Sequence, residues 1–186
     1  MKRIFDLFFS ILIIIILLLP MIFICFAIKL TSRGGVLYWS ERVGFDNSSY
    51  KMPKFRSMKL GTPEVASHLI LEPEDFLTPI GLFLRRNSFD ELPQLLSILK
   101  GDMSFVGPRP ALFNQHDLID LRLEKGLHLL VPGITGWAQV NGRDKLSISE
   151  KVMFDEEYMN QRSFWFDLKI IWLTFIKIIN KNGISH

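Results

Sequence analysis

The chain has little cysteine and little histidine, and this scarcity excludes two classes of small domain. Cys25 is the only cysteine among the 186 residues, so no disulfide framework can form within the chain. The four histidines are scattered without the spacing of metal ligands, which leaves no zinc site for the sequence to build. The length and these absences predict one compact domain that faces the reducing cytoplasm.

The chain also lacks a large net charge of either sign. The net charge is +3 and the isoelectric point is near 9.0. Such mild values fit a surface that meets anionic lipid or phosphate, but they do not establish one. The chain contains no internal repeat and no low-complexity segment, which excludes repeat architectures.

The amino-terminal segment nearly lacks charged residues. Between Ile4 and Leu30 it contains one acid, Asp6, and one base, Lys29. A secretory signal is disfavoured because no A-x-A-like cleavage site precedes Thr31. About 20 apolar residues suffice to span a bilayer, so an ordinary transmembrane helix is one interpretation.

A re-entrant helix, which enters and leaves the membrane on the same face, is the other interpretation. Pro20 removes a backbone hydrogen bond within the segment and favours a kink. Basic residues flank both ends, which by the positive-inside tendency places both ends in the cytoplasm. These residues are Lys2, Arg3, Lys29 and Arg33. The residues themselves leave both interpretations open.

The remainder of the chain predicts an α+β fold that is predominantly helical. Two extended runs, residues 36–39 and 50–57, flank turn residues and predict a small β-hairpin. Residues 111–130 and 149–160 are expected to be helical, and residues 132–142 an ordered loop.

A leucine stripe predicts a further amphipathic helix. Leu92, Leu95, Leu96 and Leu99 have the spacing of one helix face, and Gly101 is a typical helix end.

The carboxyl-terminal region predicts an amphipathic helix over about residues 163–180. Its aromatic residues alternate with lysines, which suits a helix lying in the lipid headgroup region. The alternative is a terminal helix packed on the core of the domain. The apolar run is shorter than a spanning helix requires.

Two adjacent carboxylates carry the chemistry that the sequence suggests. Asp90 and Glu91 come just before Pro93, which is tolerated only in the first turn of a helix. Asp90 therefore lies at or near an N-cap, where aspartate needs no role beyond capping. Alternatively, Asp90 is a nucleophile toward a phosphoryl group and Glu91 holds Mg²⁺. Adjacent helical positions do not share a face, which favours two separate roles.

Arginines near this helix start offer guanidinium groups that suit phosphate oxygens. They are Arg85, Arg86 and Arg109. Arg109 lies between two prolines, so its side chain starts from a fixed origin. The alternative for Arg109 is a rigid turn with a solvated side chain.

The predicted hairpin carries a second basic element. It contains Lys54 and Arg56, for which phosphate binding and simple solubility are equally good interpretations.

Ordered motifs extend over essentially the whole chain. They are Lys2-Arg3-Ile4-Phe5-Asp6, Glu41-Arg42-Val43-Gly44, Lys54-Phe55-Arg56-Ser57-Met58, Asp90-Glu91-Leu92-Pro93-Gln94, and residues 101–110 and 132–143. Each motif alone is a weak signal, whereas their order and spacing are specific. With the proline-broken apolar segment, the sequence resembles the bacterial sugar transferases of the small monotopic phosphoglycosyl transferase group.

The resemblance implies an enzyme that moves a sugar 1-phosphate from a UDP-sugar to undecaprenyl phosphate and releases UMP. Asp90 matches the family's nucleophile, which forms a covalent phosphosugar intermediate. Glu91 matches a glutamate associated with Mg²⁺, so Glu91 and Asp90 are the expected metal ligands. Arg109 matches a phosphate-binding arginine. The family's membrane helix is re-entrant and breaks at a proline, here Pro20, commonly after a serine; Leu19 stands at that position.

The resemblance also implies a setting. Residues 1–32 are expected to insert in the bacterial inner membrane, and residues 33–186 to form a catalytic domain facing the cytoplasm. Larger relatives carry additional spanning helices before this domain, and the chain resembles the minimal form. The expected partners are UDP-sugar, undecaprenyl phosphate, membrane lipid and downstream glycosyltransferases, with no nucleic acid. The reaction would be the first membrane step of surface glycan synthesis, in an O-antigen, capsule, exopolysaccharide or glycoprotein pathway.

The residues alone also allow two other functions. One is a membrane-anchored scaffold that recruits anionic lipid or a partner through its basic surface. The other is a metal-dependent lipid phosphatase that uses the same carboxylates. No residue selects among UDP-sugars.

Overall fold

The computed structural model describes residues 1–63 and 73–179, except for the side chain of Asp144. Residues 64–72 and 180–186 of the predicted domain 33–186 lie outside this description, as does the last residue of the predicted terminal helix. Within the described ranges, helices predominate and two small sheets join them. The prediction of a predominantly helical α+β fold is confirmed.

The amino-terminal helix α1 (Lys2–Thr31) runs without interruption for 30 residues, a length of about 45 Å. It is long and apolar enough to cross a membrane. Pro20 lies inside the helix and does not end it. A bend at Pro20 stays a prediction.

The larger sheet is built on the predicted hairpin, which is confirmed. Strand β1 (Leu37–Val43) pairs antiparallel with β2 (Ser49–Phe55), and Tyr38 lies opposite Lys54. On its other side β1 pairs with the short strand β4 (Ala111–Leu112), giving the order β2-β1-β4.

A second sheet consists of two parallel strands. They are β3 (Ser104–Val106) and β5 (Gly133–Thr135). Strand β5 lies in the segment 132–142, which the sequence predicts to be a loop. That prediction was wrong because the partner strand is about 30 residues upstream, where a local pattern does not register it.

Six further helices complete the described structure. They are α2 (Gly81–Arg86), α3 (Leu95–Lys100), α4 (His116–Glu124), α5 (Trp137–Asn141), α6 (Ile148–Gln161) and α7 (Phe164–Ile179). Short 3₁₀ helices cover residues 45–47, 73–76, 89–94, 127–129 and 143–145. The predicted helix over 111–130 is thus reduced to α4, because β4 precedes it and Gly126, at φ 71°, follows it.

The leucine stripe is only partly correct. The segment begins as the 3₁₀ helix Phe89–Gln94 and becomes α3 only afterwards. A 3₁₀ helix has about three residues per turn, so the residues that follow it move to a different face. As a result, Leu96 is 48% exposed whereas Ile98 is fully buried. The predicted end at Gly101 is confirmed, with φ 105°.

Helix α1 contacts the rest of the protein from its first turn to its last. Near its start, Asp6 accepts a hydrogen bond from the Phe105 N–H at 3.2 Å. In its middle, Ile13 packs on a core cluster formed by β2 and α3. Near its end, Ile28 is buried in a cluster with Phe55. The opposite face is apolar and exposed, with Ile4, Phe8, Ile15, Leu19, Phe23 and Phe26.

The last two helices close the domain. Helix α6 confirms the predicted helix over 149–160 and begins at a capping box of Ser147 and Glu150. Helix α7 buries Ile170 against the core, whereas Trp165 and Trp172 are exposed. The helix therefore packs on the domain with one face. Contact of the other face with lipid stays a prediction.

Candidate active site

Asp90 and Glu91 lie in the first turn of the 3₁₀ helix Phe89–Gln94, which packs against β2. The N-cap of this helix is Ser88, at φ 55°, and no side chain forms a capping hydrogen bond there. Asp90 is two residues further along and is buried, at 8% exposure. Capping therefore does not explain the aspartate at this position.

Two cations share the carboxylate of Glu91. Lys54 Nζ donates to Glu91 Oε1 at 3.0 Å, and Arg109 Nη2 donates to the same oxygen at 3.1 Å. Burial alone would raise the pKa of Glu91, but Lys54, Arg109 and Arg143 together hold that pKa well below its usual range. Glu91 is therefore ionised at neutral pH.

The neighbouring carboxyl of Asp90 is shifted in the opposite direction. Burial raises the pKa of Asp90; Lys54 and Arg85 oppose that rise, and the Glu91 carboxylate adds to it. Burial likewise lowers the pKa of Lys54, against the attraction of Glu91 and Asp90. Two adjacent carboxyl groups with opposite shifts suit two different chemical roles.

Asp90 forms part of the wall of a cavity of about 380 Å³ between β1, β2 and the segment that follows them. Tyr38 and Ser40 of β1 also line it. Among the described lining residues Asp90 is the single carboxylate, whereas five are cationic. The cationic residues are Arg42, Lys54, Arg56, Lys59 and Arg85. The size suits a small ligand and the surplus of positive charge suits an anion.

Arg42 connects the cavity to the Pro-Arg-Pro turn. Its Nε donates to Ser40 Oγ at 2.9 Å, and its Nη1 donates to the carbonyl of Pro110 at 3.2 Å. Burial lowers the pKa of Arg42 to about 10, and the charge of Arg109 contributes to the decrease. Arg42 is still a cation at neutral pH.

The structure brings together most of the residues that the sequence singled out. Lys54, Arg56 and Arg85 line the cavity beside Asp90, and Arg109 contacts Glu91. Arg85 is buried, with Nη1 3.4 Å from the sulfur of Met58. Arg86 is exposed at the end of α2 and lies outside the cavity lining.

Sequence reasoning missed three residues at this site. Arg42 and Arg143 belong to motifs that were recognised, but neither was chosen as a site residue. Arg143 adopts φ 56° and contributes to the low pKa of Glu91. The sequence predicts Tyr38 only as part of a strand. The sequence signal for the two arginines is that each lies next to or near a glycine in a recognised motif.

The two carboxylates fit a hard divalent cation. Across residues 1–63 and 73–179, no group of three His, Cys, Asp or Glu side chains forms a complete metal site. Mg²⁺ usually takes one or two carboxylates and completes its shell with water and substrate phosphates. The Glu91 carboxylate raises the pKa of Asp90, and a divalent cation beside the pair would remove that repulsion. Because Glu91 Oε1 already accepts from Lys54 and Arg109, these two carboxylates would hold Mg²⁺ only together with substrate phosphates.

Comparison with known proteins gives matches over almost the whole chain. A family model described as bacterial sugar transferase matches residues 1–181. The UDP-glucose:undecaprenyl-phosphate glucose-1-phosphate transferase of Escherichia coli (strain K12) is 40% identical over 97% of this chain and 41% of its own length. The undecaprenyl-phosphate glucose phosphotransferase of Komagataeibacter xylinus is 41% identical over 98% of this chain and 36% of its own length.

A third relative has nearly the same length as this chain. The uncharacterized sugar transferase EpsL of Bacillus subtilis (strain 168) is 40% identical over 100% of this chain and 91% of its own length. The chain thus spans about two fifths of the first two relatives and nearly all of the third. Together with the family match, these similarities show that the chain belongs to the bacterial sugar transferase family.

Proposed function

We propose that the chain is a phosphoglycosyl transferase that moves a sugar 1-phosphate from a UDP-sugar to undecaprenyl phosphate and releases UMP. One observation carries the proposal: the buried Asp90 faces a cavity with a surplus of cations, next to a Glu91 that two cations keep ionised. Relatives at about two-fifths identity are named for glucose 1-phosphate or glucose phosphate transfer to undecaprenyl phosphate.

The proposed reaction has two displacements at phosphorus. A carboxylate oxygen of Asp90 attacks the β-phosphorus of the UDP-sugar, and the bond to the bridging oxygen breaks so that UMP leaves. The sugar phosphate is then joined to Asp90. In the second step, a phosphate oxygen of undecaprenyl phosphate attacks the same phosphorus, the bond to Asp90 breaks, and the lipid diphosphate sugar leaves.

The remaining residues of the site would hold and neutralise the substrate. Lys54, Arg56 and Arg85 line the cavity and suit the two phosphates of the UDP-sugar. Arg109, whose Nη2 lies 3.1 Å from Glu91 Oε1, could bind a substrate phosphate next to Glu91. Glu91, with Asp90, would hold Mg²⁺, which supplies electrostatic stabilisation of phosphate oxygens when bound.

We further propose that both ends of α1 lie on the cytoplasmic side of the bacterial inner membrane, with the helix entering one leaflet. The start, middle and end of α1 all contact the rest of the described structure, which supports this arrangement. A hydrocarbon core is about 30 Å thick, so a helix crossing it would carry one end away from a body that stays on one side. In a Cys25→Ala background, a cysteine in a short tag before Met1 and a cysteine at Ser32 should both be labelled from the cytoplasm; labelling from opposite sides would contradict re-entry.

Helix α7 is proposed to lie in the headgroup region. Its exposed Trp165 and Trp172 suit that position, and its buried Ile170 ties it to the domain.

The test of function uses purified full-length chain in detergent with Mg²⁺, undecaprenyl phosphate and a panel of UDP-sugars. UMP and a lipid-linked sugar should form together, and Asp90→Asn should reduce turnover by at least about 1,000-fold because the nucleophile is lost. The matched control is Asp120→Asn, an exposed aspartate on α4 that should keep full turnover.

Each alternative outcome identifies another function. Full turnover by Asp90→Asn would overturn the covalent route. Release of inorganic phosphate in place of UMP would indicate the lipid phosphatase. Salt-sensitive lipid binding without any turnover would indicate the scaffold.

A further inference from the structure

The Pro-Arg-Pro turn that presents Arg109 is held at successive carbonyl groups. The carbonyl of Pro108 accepts a hydrogen bond from the Gly133 N–H at 2.9 Å. The carbonyl of Arg109 accepts one from Arg122 Nη1 at 2.9 Å. The carbonyl of the next residue is bound by Arg42, as described above. The backbone on both sides of Arg109 is therefore held by hydrogen bonds from Gly133, Arg122 and Arg42.

Arg122 is itself fixed by a buried carboxylate. It lies on α4, and its Nε and Nη2 donate to Asp155 Oδ2 on α6 at 3.0 and 2.6 Å. Asp155 is only 1% exposed. The Arg122 guanidinium thus makes three hydrogen bonds, two to one carboxylate and one to the turn. Such a planar, pre-oriented fork defines the direction of its third bond closely.

The bond from Arg122 to the Arg109 carbonyl holds the peptide plane that follows Arg109. The rings of the flanking prolines fix their own φ angles, and a residue before proline is limited to extended conformations. ψ of Pro108 and φ of Arg109 remain free, and bonds to the carbonyls of Pro108 and Arg109 hold the peptide planes on either side of Arg109. The second of these planes lies between Arg109 and Pro110. Arg122 holds the carbonyl oxygen of that plane and so sets the origin of the Arg109 side chain, whose Nη2 reaches Glu91.

We propose that Arg122, oriented by Asp155, is a positioning residue that holds Arg109 in place to grip substrate phosphate. The proposal rests on the proposed function for its catalytic consequence. It extends the active site to the interface of α4 and α6, which contributes no residue to the cavity wall among those described.

The first test is a double-mutant cycle in the UMP-release assay. Arg122→Lys keeps a positive charge for Asp155 but loses the planar fork, and it should reduce kcat/KM about 10-fold because Arg109 is misplaced. Arg109→Ala should reduce kcat/KM about 100-fold. The double variant should be no worse than Arg109→Ala, because the only effect of Arg122 on the reaction passes through Arg109.

The matched control removes another ion pair between the same two helices. Lys125 follows α4 directly and contacts Glu156 of α6 at 3.3 Å, with both side chains partly exposed. Lys125→Met should leave kcat/KM unchanged. Wild-type kcat/KM in Arg122→Lys, or losses that multiply in the double variant, would overturn the positioning role. Where Arg122→Lys does not fold, Asp155→Asn takes its place in the same cycle.

The second test does not depend on turnover. The Arg109 Nε–H resonance is followed by NMR in the folded protein in detergent. It is assigned by its disappearance in Arg109→Lys. Arg122→Lys should broaden or shift it, and Lys125→Met should not. An unchanged resonance would overturn the proposal even if the wild type proved inactive, whereas inactivity with a changed resonance would count only against the proposed function.

Discussion

Two partly buried groups of charged residues differ in their balance of charge. The first joins the start of α1 to α7: Lys2 Nζ lies 2.6 Å from Asp167 Oδ2, and the Tyr158 hydroxyl donates to Asp167 Oδ1 at 2.8 Å. Lys2 also donates to the Val106 carbonyl at 2.9 Å. Burial, with the nearby Asp167, raises the pKa of Tyr158, so it remains a neutral donor. Lys2 is thus paired with Asp167, and the buried Asp6 lies beside them, so cations are not in surplus among these residues.

The second group, at the candidate active site, is not balanced. Seven cations line the cavity beside Asp90 or act on Glu91: Arg42, Lys54, Arg56, Lys59, Arg85, Arg109 and Arg143. A balanced group is satisfied by its own members and stabilises the fold. A surplus of partly buried positive charge is unfavourable until an anion binds. The difference teaches that the first group holds helices together and the second is arranged for a phosphate-bearing ligand.

The largest effect that sharpens this comparison is expected for Glu91→Gln. The change keeps the shape of the side chain but removes the charge that Lys54 and Arg109 share. We expect kcat/KM for UMP release to fall at least about 100-fold and the Mg²⁺ requirement to rise, since a charged metal ligand is lost. Titration of activity with Mg²⁺ measures both. An unchanged Mg²⁺ profile would show that Glu91 has only a structural role.

A smaller effect, on stability alone, is expected for Asp167→Asn. The substitution weakens two hydrogen bonds of the balanced group, so the free energy of unfolding should fall by about 2 kcal/mol. Under conditions in which the variant is still fully folded, kcat/KM should stay within about twofold of the wild type. The residues of this group are not among those that line the cavity. Denaturation followed by tryptophan fluorescence and the UMP assay give the two values. A large activity loss in fully folded protein would break the comparison.

The smallest effect is a gain of stability in Asp90→Asn. The pKa of Asp90 is higher in the folded protein than in the unfolded chain, so ionisation at neutral pH costs native stability. The unfavourable contribution develops as pH rises from the unfolded pKa through the folded one. The variant should therefore be more stable than the wild type at pH 7.5. This gain should vanish below the ordinary aspartate pKa.

Thermal unfolding of both proteins across pH measures that gain. A lower midpoint for Asp90→Asn at pH 7.5 would mean that Lys54 and Arg85 stabilise the Asp90 carboxylate more than burial disfavours it.

Features with local causes were predictable. Helix α6 begins at a capping box of Ser147 and Glu150, three residues apart, and the hairpin of β1 and β2 is joined by nearby turn residues. The predicted leucine helix is correct only from Leu95 onward, because residues 89–94 form a 3₁₀ helix whose period differs from that of an α-helix. Strand β5 was missed because its partner is far away in the chain.

The amino-acid sequence by itself determined the apolar amino-terminal helix, the adjacent Asp90 and Glu91, and the arginine between two prolines. These depend on composition and on neighbouring residues, which a linear pattern records. Only the tertiary structure decided that Lys54 and Arg109, 55 residues apart, meet on one oxygen of Glu91. It also decided that Arg42 and Arg143 join the site while Arg86 stays outside the cavity lining. Such contacts depend on packing between segments that are distant in the sequence. Their free energy is set by burial and by the neighbouring charges, which the spacing of residues along the sequence does not record.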